Sequence, residues 1–496
     1  ISHLLLLERG RGKGVRSLLS VWSMQSSRMR YRLDMDKPVL VHNFEKRGWT
    51  LTEEDDWNIY WANVTNSKWV FNPESGIRLS EDQLINHFPN HYELTRKDMM
   101  IKNTKRYRKD VDKDPGTVGG GSGSASASGL SSMNTASSAA AGVSSSGTGS
   151  SSSAAFGASA SSSSAAAAAA GTLVTGPGTL DRTDEGDSLF DFVPHTYTLP
   201  ADYCLFADEF KRNPNAMWIM KPTAKAQGKG IFLVTKLSQI KKWAKDRWAL
   251  MTQKDQYVIS RYIDRPLLIG GKKFDLRLYC LVTSYRPLRS FLYKLGFARF
   301  CNVKYTNDLS ELDNHYIHLT NVAIQKHFSH YNPKHGCKWS LNCLRMYLEG
   351  THGNEATERL FRDMYFVILQ SLKSVQQVMI NDKHAFECYG YDIIVDEDLK
   401  PWLIEVNASP SLTTTTVADR NLKMALIGDV LDVVIQSKFG VHPRTGKPLE
   451  GPEQMELGRF DVLYDETTDP VEIAAKQEAE RRRSSNKRDV GRPIFR

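Results

Sequence analysis

Three short stretches of this chain carry residue types whose spacing could do chemistry on phosphates. The first is a pair of strand-like runs, Asp392-Ile393-Ile394-Val395 and Pro401-Trp402-Leu403-Ile404-Glu405-Val406-Asn407, flanking a polar stretch from Asp396 to Lys400. Closed as an antiparallel hairpin between Asp398 and Leu399, the runs set Asp392 opposite Glu405. Directly opposed side chains share a face, with Cβ atoms about 4.5–5.5 Å apart. Asn407, two residues beyond Glu405, shares that face. Ile393, Ile404 and Val406 fall on the other face, as core. Opposed carboxylates repel unless something cationic stands between them. Two carboxylates and an amide carbonyl are hard oxygen donors, and magnesium with phosphate partners suits them. The plainer alternative is an edge hairpin whose polar face is merely wet.

The second stretch is Trp218-Ile219-Met220-Lys221-Pro222, followed by Gln227-Gly228-Lys229-Gly230-Ile231-Phe232. A strand delivers Lys221 to its end, and a glycine-containing loop leads into another strand. Glycines let backbone N–H groups approach phosphate oxygens closely, and Lys supplies a mobile point charge. This is not a P-loop, because Gly230 stands where Ser or Thr is required. A simple hairpin with exposed lysines explains the stretch equally well. The third is Gly270-Gly271-Lys272-Lys273-Phe274-Asp275-Leu276-Arg277-Leu278-Tyr279. Lys273, Asp275 and Arg277 alternate onto one face; Phe274, Leu276, Leu278 and Cys280 take the other. The charged face is either solvated or the floor of a phosphate site, with Arg277 stabilising transferred charge.

These segments need elements to position them. Strands are expected over 217–220, 230–235, 256–263, 274–283, 289–296, 392–395 and 401–407. Helices are expected over 237–251 and 355–379, the latter with Leu360, Met364, Val367, Ile368 and Leu372 on one face. The mixture predicts an α+β class, with sheets too interrupted for a simple doubly wound fold. Residues 31–112 form a small N-terminal α/β module rich in aromatics. It ends in a basic stretch, Ile101 to Lys109, which is either a solvated helix face or a docking site for an acidic partner. From Pro115 to Leu180 there is no charged residue and the only aromatic is Phe156. Such Ser/Ala/Gly-rich chain buries too little apolar surface to offset its ordering entropy. Residues 113–190 therefore read as a disordered insertion, 191–436 as the core, and 437–496 as a polar basic tail, mostly disordered. Residues 1–30 carry little signal, and Leu4 to Leu7 is too short for a signal sequence.

The chain has 496 residues, room for two to four domains at roughly 100–200 residues each. Its charge of +9 and pI near 9.0 favour acidic partners without choosing among them. The six cysteines form no CxxC pair and read as reduced thiols. No apolar run reaches the ~18–20 residues that span a membrane.

In combination the motifs are specific. Trp218–Pro222 with Gln227–Phe232, Ile269–Tyr279, His318–Gln325, and Glu387–Ile393 with Pro401–Leu412 together resemble the ATP-grasp ligases. Within them the chain resembles the tubulin-tyrosine-ligase-like family from about Pro38 to Asp429. Asn86 to Lys97 (NHFPNHYELTRK) resembles its polyglutamylase branch. The resemblance implies an ATP-grasp core preceded by the N-terminal module. It implies that ATP touches Lys221, Gln227, Gly228, Ser260, Arg261, Tyr262, Ile263, Lys273, Phe274, Asp275, Thr320 and Asn321. Asp392, Glu405 and Asn407 would hold Mg2+, and Arg299, Lys338 and Lys423 would bind free L-glutamate. Arg277, Lys221 and Glu405 would be catalytic, making an acyl phosphate and then an isopeptide bond on acidic tubulin tails. The implied setting is the cytoplasm and cytoskeleton, including cilia and basal bodies, with accessory subunits of a polyglutamylase complex and without nucleic acid or membrane. A glycine or tyrosine ligase, and a non-catalytic binding protein on the same scaffold, remain the alternatives.

Overall fold

The longest strands among the described residues, Lys272–Tyr285 and Glu387–Val395, are those whose residues are buried on both faces. A computed structural model describes residues 29–113, 191–223, 225, 227–247, 256–332, 337–443, 447–449, 451 and 455–469. The expected insertion and the end of the basic tail lie outside the described residues, as do positions 248–251 of the helix expected over 237–251.

The N-terminal residues form a parallel sheet in the order β2-β1-β3-β4: β1 (Arg30–Leu33), β2 (Thr50–Leu51), β3 (Ile59–Trp61) and β4 (Leu84–Ile85). Four helices accompany it: α1 (Pro38–Glu45), α2 (Val64–Val70), α3 (Tyr92–Thr95) and α4 (Lys97–Lys113). Pro38 starts α1, where its missing N–H is no loss, and the Asn63 side chain caps α2 through the N–H groups of Thr65 and Asn66.

A second, antiparallel sheet runs β5-β8-β6-β7: β5 (Thr196–Leu199), β6 (Trp218–Pro222), β7 (Phe232–Val234) and β8 (Tyr257–Arg261). The helices α5 (Tyr203–Arg212) and α6 (Leu237–Arg247) belong to it. Its core holds Phe206, Trp218, Met220, Ile240 and Ile259.

The largest sheet is built around one long strand, β10 (Lys272–Tyr285). On one side β10 pairs with β12 (Phe297–Phe300) along its first half and with β11 (Leu288–Tyr293) along its second; on the other side lies β14 (Glu387–Val395). β9 (Leu268–Ile269) pairs with the start of β10 itself, and outward from β12, β14 and β11 stand β13 (Lys338–Ser340), β15 (Pro401–Asn407) and β16 (Phe460–Asp465). The remaining helices are α7 (His315–His318), α8 (Val322–Gln325), α9 (Leu341–His352), α10 (Asn354–Gln376) and α11 (Val417–Phe439).

The two faces of β10 explain why a site forms here. Phe274, Leu276, Leu278, Cys280 and Val282 share one face and pack into a core with Leu360, Met364, Val367, Ile368 and Leu372 of α10. Tyr279 and Leu281 face the other way, into a core with α11 residues Leu426, Ile427, Val430 and Leu431 and with Leu40 and Phe44 of α1. On that second face the first half of β10 carries Lys273, Asp275 and Arg277. Apolar packing thus stops midway along the strand and charge takes over.

Three differences from the sequence reading have simple causes. The tail beyond Phe439 supplies β16, which pairs with β11; Phe460 anchors it in the core at 1% exposure. β14 starts at Glu387 rather than Asp392, because Tyr389 and Tyr391 are fully buried strand residues. The strand expected over 289–296 ends at Tyr293 as β11, and β12 begins only at Phe297, outside that run, because Lys294 to Gly296 do not pair with β10.

Leu276 sits where β10 meets both β12 and β14, with no exposed surface. Leu276→Ala is expected to cost about 2–5 kcal/mol of folding free energy, read from the midpoint of urea denaturation.

Candidate functional site

The hairpin of β14 and β15 pairs Asp392 with Glu405 and Gly390 with Asn407, as the register count expects. Its turn is held by Asp396, whose carboxylate accepts the N–H groups of Asp398 and Lys400 and the Trp402 indole N–H. Beyond Asp392 the register shifts by one, so Ile393 faces Leu403. This bulge leaves Ile404 as the extra residue. Ile404 is therefore half-buried and lines the cleft described next, whereas the sequence reading puts it in the core.

That cleft, about 1070 Å³ including its open mouth, lies between the second sheet and the β10–β14–β15 face. Lys221, Gln227, Gly228, Ser260, Arg261, Tyr262, Ile263, Lys273, Asp275, Thr320 and Asn321 line it, together with Asp392 and Glu405. Phe274 does not; its ring is buried against Phe300, centroids 5.3 Å apart, because strand alternation turns it into the core. Gly228 adopts φ +79°, and a Cβ there would come within 2.6 Å of Ile324 Cδ1 and 3.0 Å of Asn321 Oδ1. The loop can approach α8 only because it has no side chain at that point.

The cations of the cleft are strained electrostatically. Burial pulls the Lys221 ammonium down to about 8, against the opposing pull of Glu405. Burial likewise brings Lys273 to about 8. Lys273 Nζ donates to the Tyr262 hydroxyl at 2.8 Å and lies 4.2 Å over its ring. His318 stands behind, 3.0 Å from that hydroxyl, and burial lowers it to about 4, so it is neutral.

Each of the opposed carboxylates is met by cations of the chain itself, Asp392 by Arg277 and Arg299 and Glu405 by Lys97. Arg277 Nε and Nη2 donate to the two Asp392 oxygens at 2.6 and 3.0 Å, and Arg299 Nη2 lies 2.9 Å from Oδ2. Burial opposes the charge on Asp392, but the Arg277 and Arg299 guanidiniums outweigh it and hold the carboxyl well below its usual range. Arg299 also makes a two-pronged pair with Asp275, its cross-strand neighbour. On its far side Arg299 is paired in register with Lys338. Lys338 and Lys423 then converge on Asp419, at 3.3 and 3.1 Å, and Lys423 Nζ donates to the Thr413 carbonyl at 2.5 Å. The residues expected to clamp an amino acid thus form one connected cluster with Arg277.

Glu405 is paired with Lys97, at 2.9 Å. Sequence reasoning missed Lys97 as a site residue. One signal was available: a Lys at the first position of α4 faces the unfavourable end of the helix dipole, which suggests an anionic partner from elsewhere. Sequence reasoning also missed apolar walls such as Ile219, Ile231, Val258 and Leu319. Of the basic 101–109 stretch, Lys105 donates to the Thr196 carbonyl, Arg106 to that of Ser374, and Arg108 pairs with Asp191. Those three cations bind the chain's own structure.

Among the described residues no cluster of three or more His, Cys, Asp or Glu stands ready to hold a metal. The donors present fit a partial shell. Asn407 Nδ2 donates to the Gly390 carbonyl, which leaves its Oδ1 as acceptor, and ionised carboxylates retain lone pairs beyond those their cations use. Magnesium ordinarily takes one or two carboxylates and completes its shell with phosphate and water.

Comparison with known proteins decides the family. The tubulin-tyrosine ligase family matches residues 76–140 and 163–441. This chain belongs to the tubulin-tyrosine ligase family. It is 46% identical over 458 residues to the probable alpha-tubulin polyglutamylase Ttll1 of Tetrahymena thermophila, covering 89% of this chain and 94% of that protein. It is 38% identical over 460 residues to the probable tubulin polyglutamylase TTLL9 of Rattus norvegicus, covering 86% and 81%. Identity to human tubulin polyglutamylase TTLL5 is 28% over 394 residues, 76% of this chain and 24% of that protein. Among the described residues of this family member, no helix is long and apolar enough to cross a membrane.

The buried lysines set a pH dependence for nucleotide binding. Below about 8 Lys221 and Lys273 are cations; between there and the ordinary 10.5 the free protein holds them neutral. A polyanion bound in that window must recharge them. ATP affinity is expected to weaken by about tenfold per pH unit above 8 for each lysine involved, with proton uptake on binding. Calorimetry in buffers of different ionisation enthalpy measures both, and pH-independent affinity between 7 and 9.5 would contradict the assignment.

Proposed function

We propose that the protein is an ATP- and Mg2+-dependent tubulin polyglutamylase of ATP-grasp type, joining free L-glutamate to glutamate side chains of tubulin's acidic tails. The observation that carries this reading is the excess of cation at the meeting point of cleft and cluster. Lys97, Lys221, Lys273, Arg277, Arg299, Lys338 and Lys423 face only Asp275, Asp392, Asp419 and Glu405. A triphosphate followed by a dicarboxylate amino acid balances such a surplus; glycine or tyrosine brings one carboxylate fewer. The relatives' names support the same substrate.

In this reading Lys221 and Lys273 hold the phosphate chain, and the glycine loop at Gly228 closes over it. Asp392, Glu405 and Asn407 would hold magnesium, which neutralises phosphate charge when bound. The tail carboxylate takes the terminal phosphoryl group as an acyl phosphate, ADP leaving. Arg299, Lys338 and Lys423 orient glutamate so that its amine attacks the acyl carbon, and phosphate leaves as the isopeptide bond forms. Arg277 stabilises the oxygen charge that develops at that carbon. The work would take place on microtubules in the cytoplasm, including those of cilia and basal bodies, beside accessory subunits; the charge of +9 supports attraction to acidic tails.

The test is incubation of the chain, with and without accessory subunits, with microtubules, ATP, magnesium and each labelled amino acid in turn. Glutamate is expected to be incorporated. Glu405→Gln is expected to lower incorporation at least ~100-fold with an unchanged unfolding midpoint. Glycine or tyrosine incorporation without glutamate, or full activity in Glu405→Gln, would overturn the reading.

A further inference from the structure

The basic stretch of α4 has no part in the steps above, and the structure divides its cations into two sets. Lys105, Arg106 and Arg108 are tied to the chain itself. Lys102, Lys109 and Lys113 are exposed, and among the described residues none of the three has an ion-pair partner.

Their spacing puts them in one row. α4 buries Met100, Thr104 and Val111. At about 100° per residue, Lys102, Arg106, Lys109 and Lys113 fall within about 60° of one another on the opposite side, toward solvent. Arg106 is exposed as well; its guanidinium gives one N–H to the Ser374 carbonyl and keeps the others. Like charges four residues apart on a helix repel and weaken it. Lys102 and Arg106, Lys105 and Lys109, and Lys109 and Lys113 are such pairs. The acidic residues of α4 do little to relieve them. Asp98 is held by Arg96 at 2.7 Å, Asp112 lies 3.9 Å from Arg108, and Asp110 flanks the row rather than standing in it. An anion from outside the chain would relieve the repulsion directly.

The row starts at the rim of the cleft. Lys97, Met100 and Ile101, in the first turns of α4, line the cleft, as does Thr196. Lys105 Nζ donates to the Thr196 carbonyl at 2.7 Å, so Lys105 stands between the cleft wall and the row. From Lys102 to Lys113 the helix rises roughly 16 Å at about 1.5 Å per residue, the span of about five residues of extended polypeptide. No aromatic residue stands in the row for a base to stack on, which favours an acidic peptide over a single-stranded nucleic acid.

We propose that Lys102, Arg106, Lys109 and Lys113 form a docking track for the acidic residues that flank the acceptor glutamate in the substrate tail. This deepens the ligase reading and rests on it. The cleft takes one glutamate of the tail, and the track meets the carboxylates of its neighbours along the same chain. Its contacts are exposed and screened by salt, so they set the affinity for the acceptor and leave the chemical steps as they are.

The test uses the full chain with its accessory subunits, ATP, magnesium, labelled glutamate and a synthetic peptide with acidic residues on both sides of one acceptor glutamate. The combined variant Lys102→Glu, Lys109→Glu and Lys113→Glu is expected to raise KM for this peptide about tenfold or more, with kcat and the KM for ATP within about twofold. Its unfolding midpoint should not move, because all three side chains are exposed. A second peptide, with glutamine in place of the flanking acidic residues, should bind the unaltered chain about as weakly as the variant binds the first. The variant should then discriminate little between the two peptides. Raised ionic strength should narrow the gap between variant and unaltered chain. Equal KM in variant and unaltered chain overturns the track, and so does a variant that keeps the full preference for the acidic peptide. An unchanged peptide KM with weakened binding to microtubules overturns it too, by moving the row's partner to the microtubule body. Failure of the unaltered chain to incorporate glutamate overturns the ligase reading, and the track with it.

Discussion

The salt link between Arg277 and Asp392 is the constraint on which the rest of the site depends. It joins β10 to β14 at a cross-strand pair, and both side chains are almost wholly buried. Ions in such a place are stable only when paired and hydrogen-bonded, and removing one partner of a buried pair costs about 3–5 kcal/mol. Asp392 therefore recruits Arg299 from β12 as well, and Arg299 recruits Asp275. Across neighbouring strands two opposed carboxylates, Glu405 and Asp392, meet Arg277, and Asp275 meets two cations in a row, Arg299 and Lys338. The sheet's hydrogen-bond register and its charge pattern each require the other.

This arrangement trades stability for preorganisation. A hydrophobic row in the same strands would hold the sheet as well or better. What the ionic row provides is a set of guanidiniums held rigid by bidentate contacts and shielded from water. In the proposed reaction such groups would meet developing charge with little reorganisation. Gly390 shows how tight the fit is, since a methyl group there would press on Pro410 and on the Arg277 side chain.

Much of this was legible in the sequence where interactions are local. The Asp392–Glu405 pairing followed from the turn at Asp396 and strand alternation, and the charged face of Lys273, Asp275 and Arg277 followed from a period of two. The bulge that exposes Ile404 did not, because it depends on how β15 meets the cleft rather than on the hairpin itself. Phe274 was assigned to the cleft by resemblance although its own alternation pointed to the core. The sequence reading put a divalent cation between the carboxylates; the cations seen on them come from β10, β12 and α4, which no hairpin-scale argument reaches. β16 was hidden because a short edge strand, FDVLYD with only Phe460 deeply buried, sits inside a polar stretch that looks like tail.

The N-terminal residues are built into the framework of the candidate site. Lys97 pairs with Glu405 across a separation of hundreds of residues, and Asn86 and His87 meet Glu387 and Ser409 across a similar one. Arg47 binds Asp432 and the Gly428 carbonyl, and Asn43 binds the Met424 carbonyl, so α1 is fixed to α11, the helix that carries Lys423. Each contact joins a residue near the start of the chain to an element that holds a site residue. The cation on Glu405 thus reaches the hairpin from a helix hundreds of residues earlier in the sequence, so the hairpin alone does not carry the charge balance of the cleft.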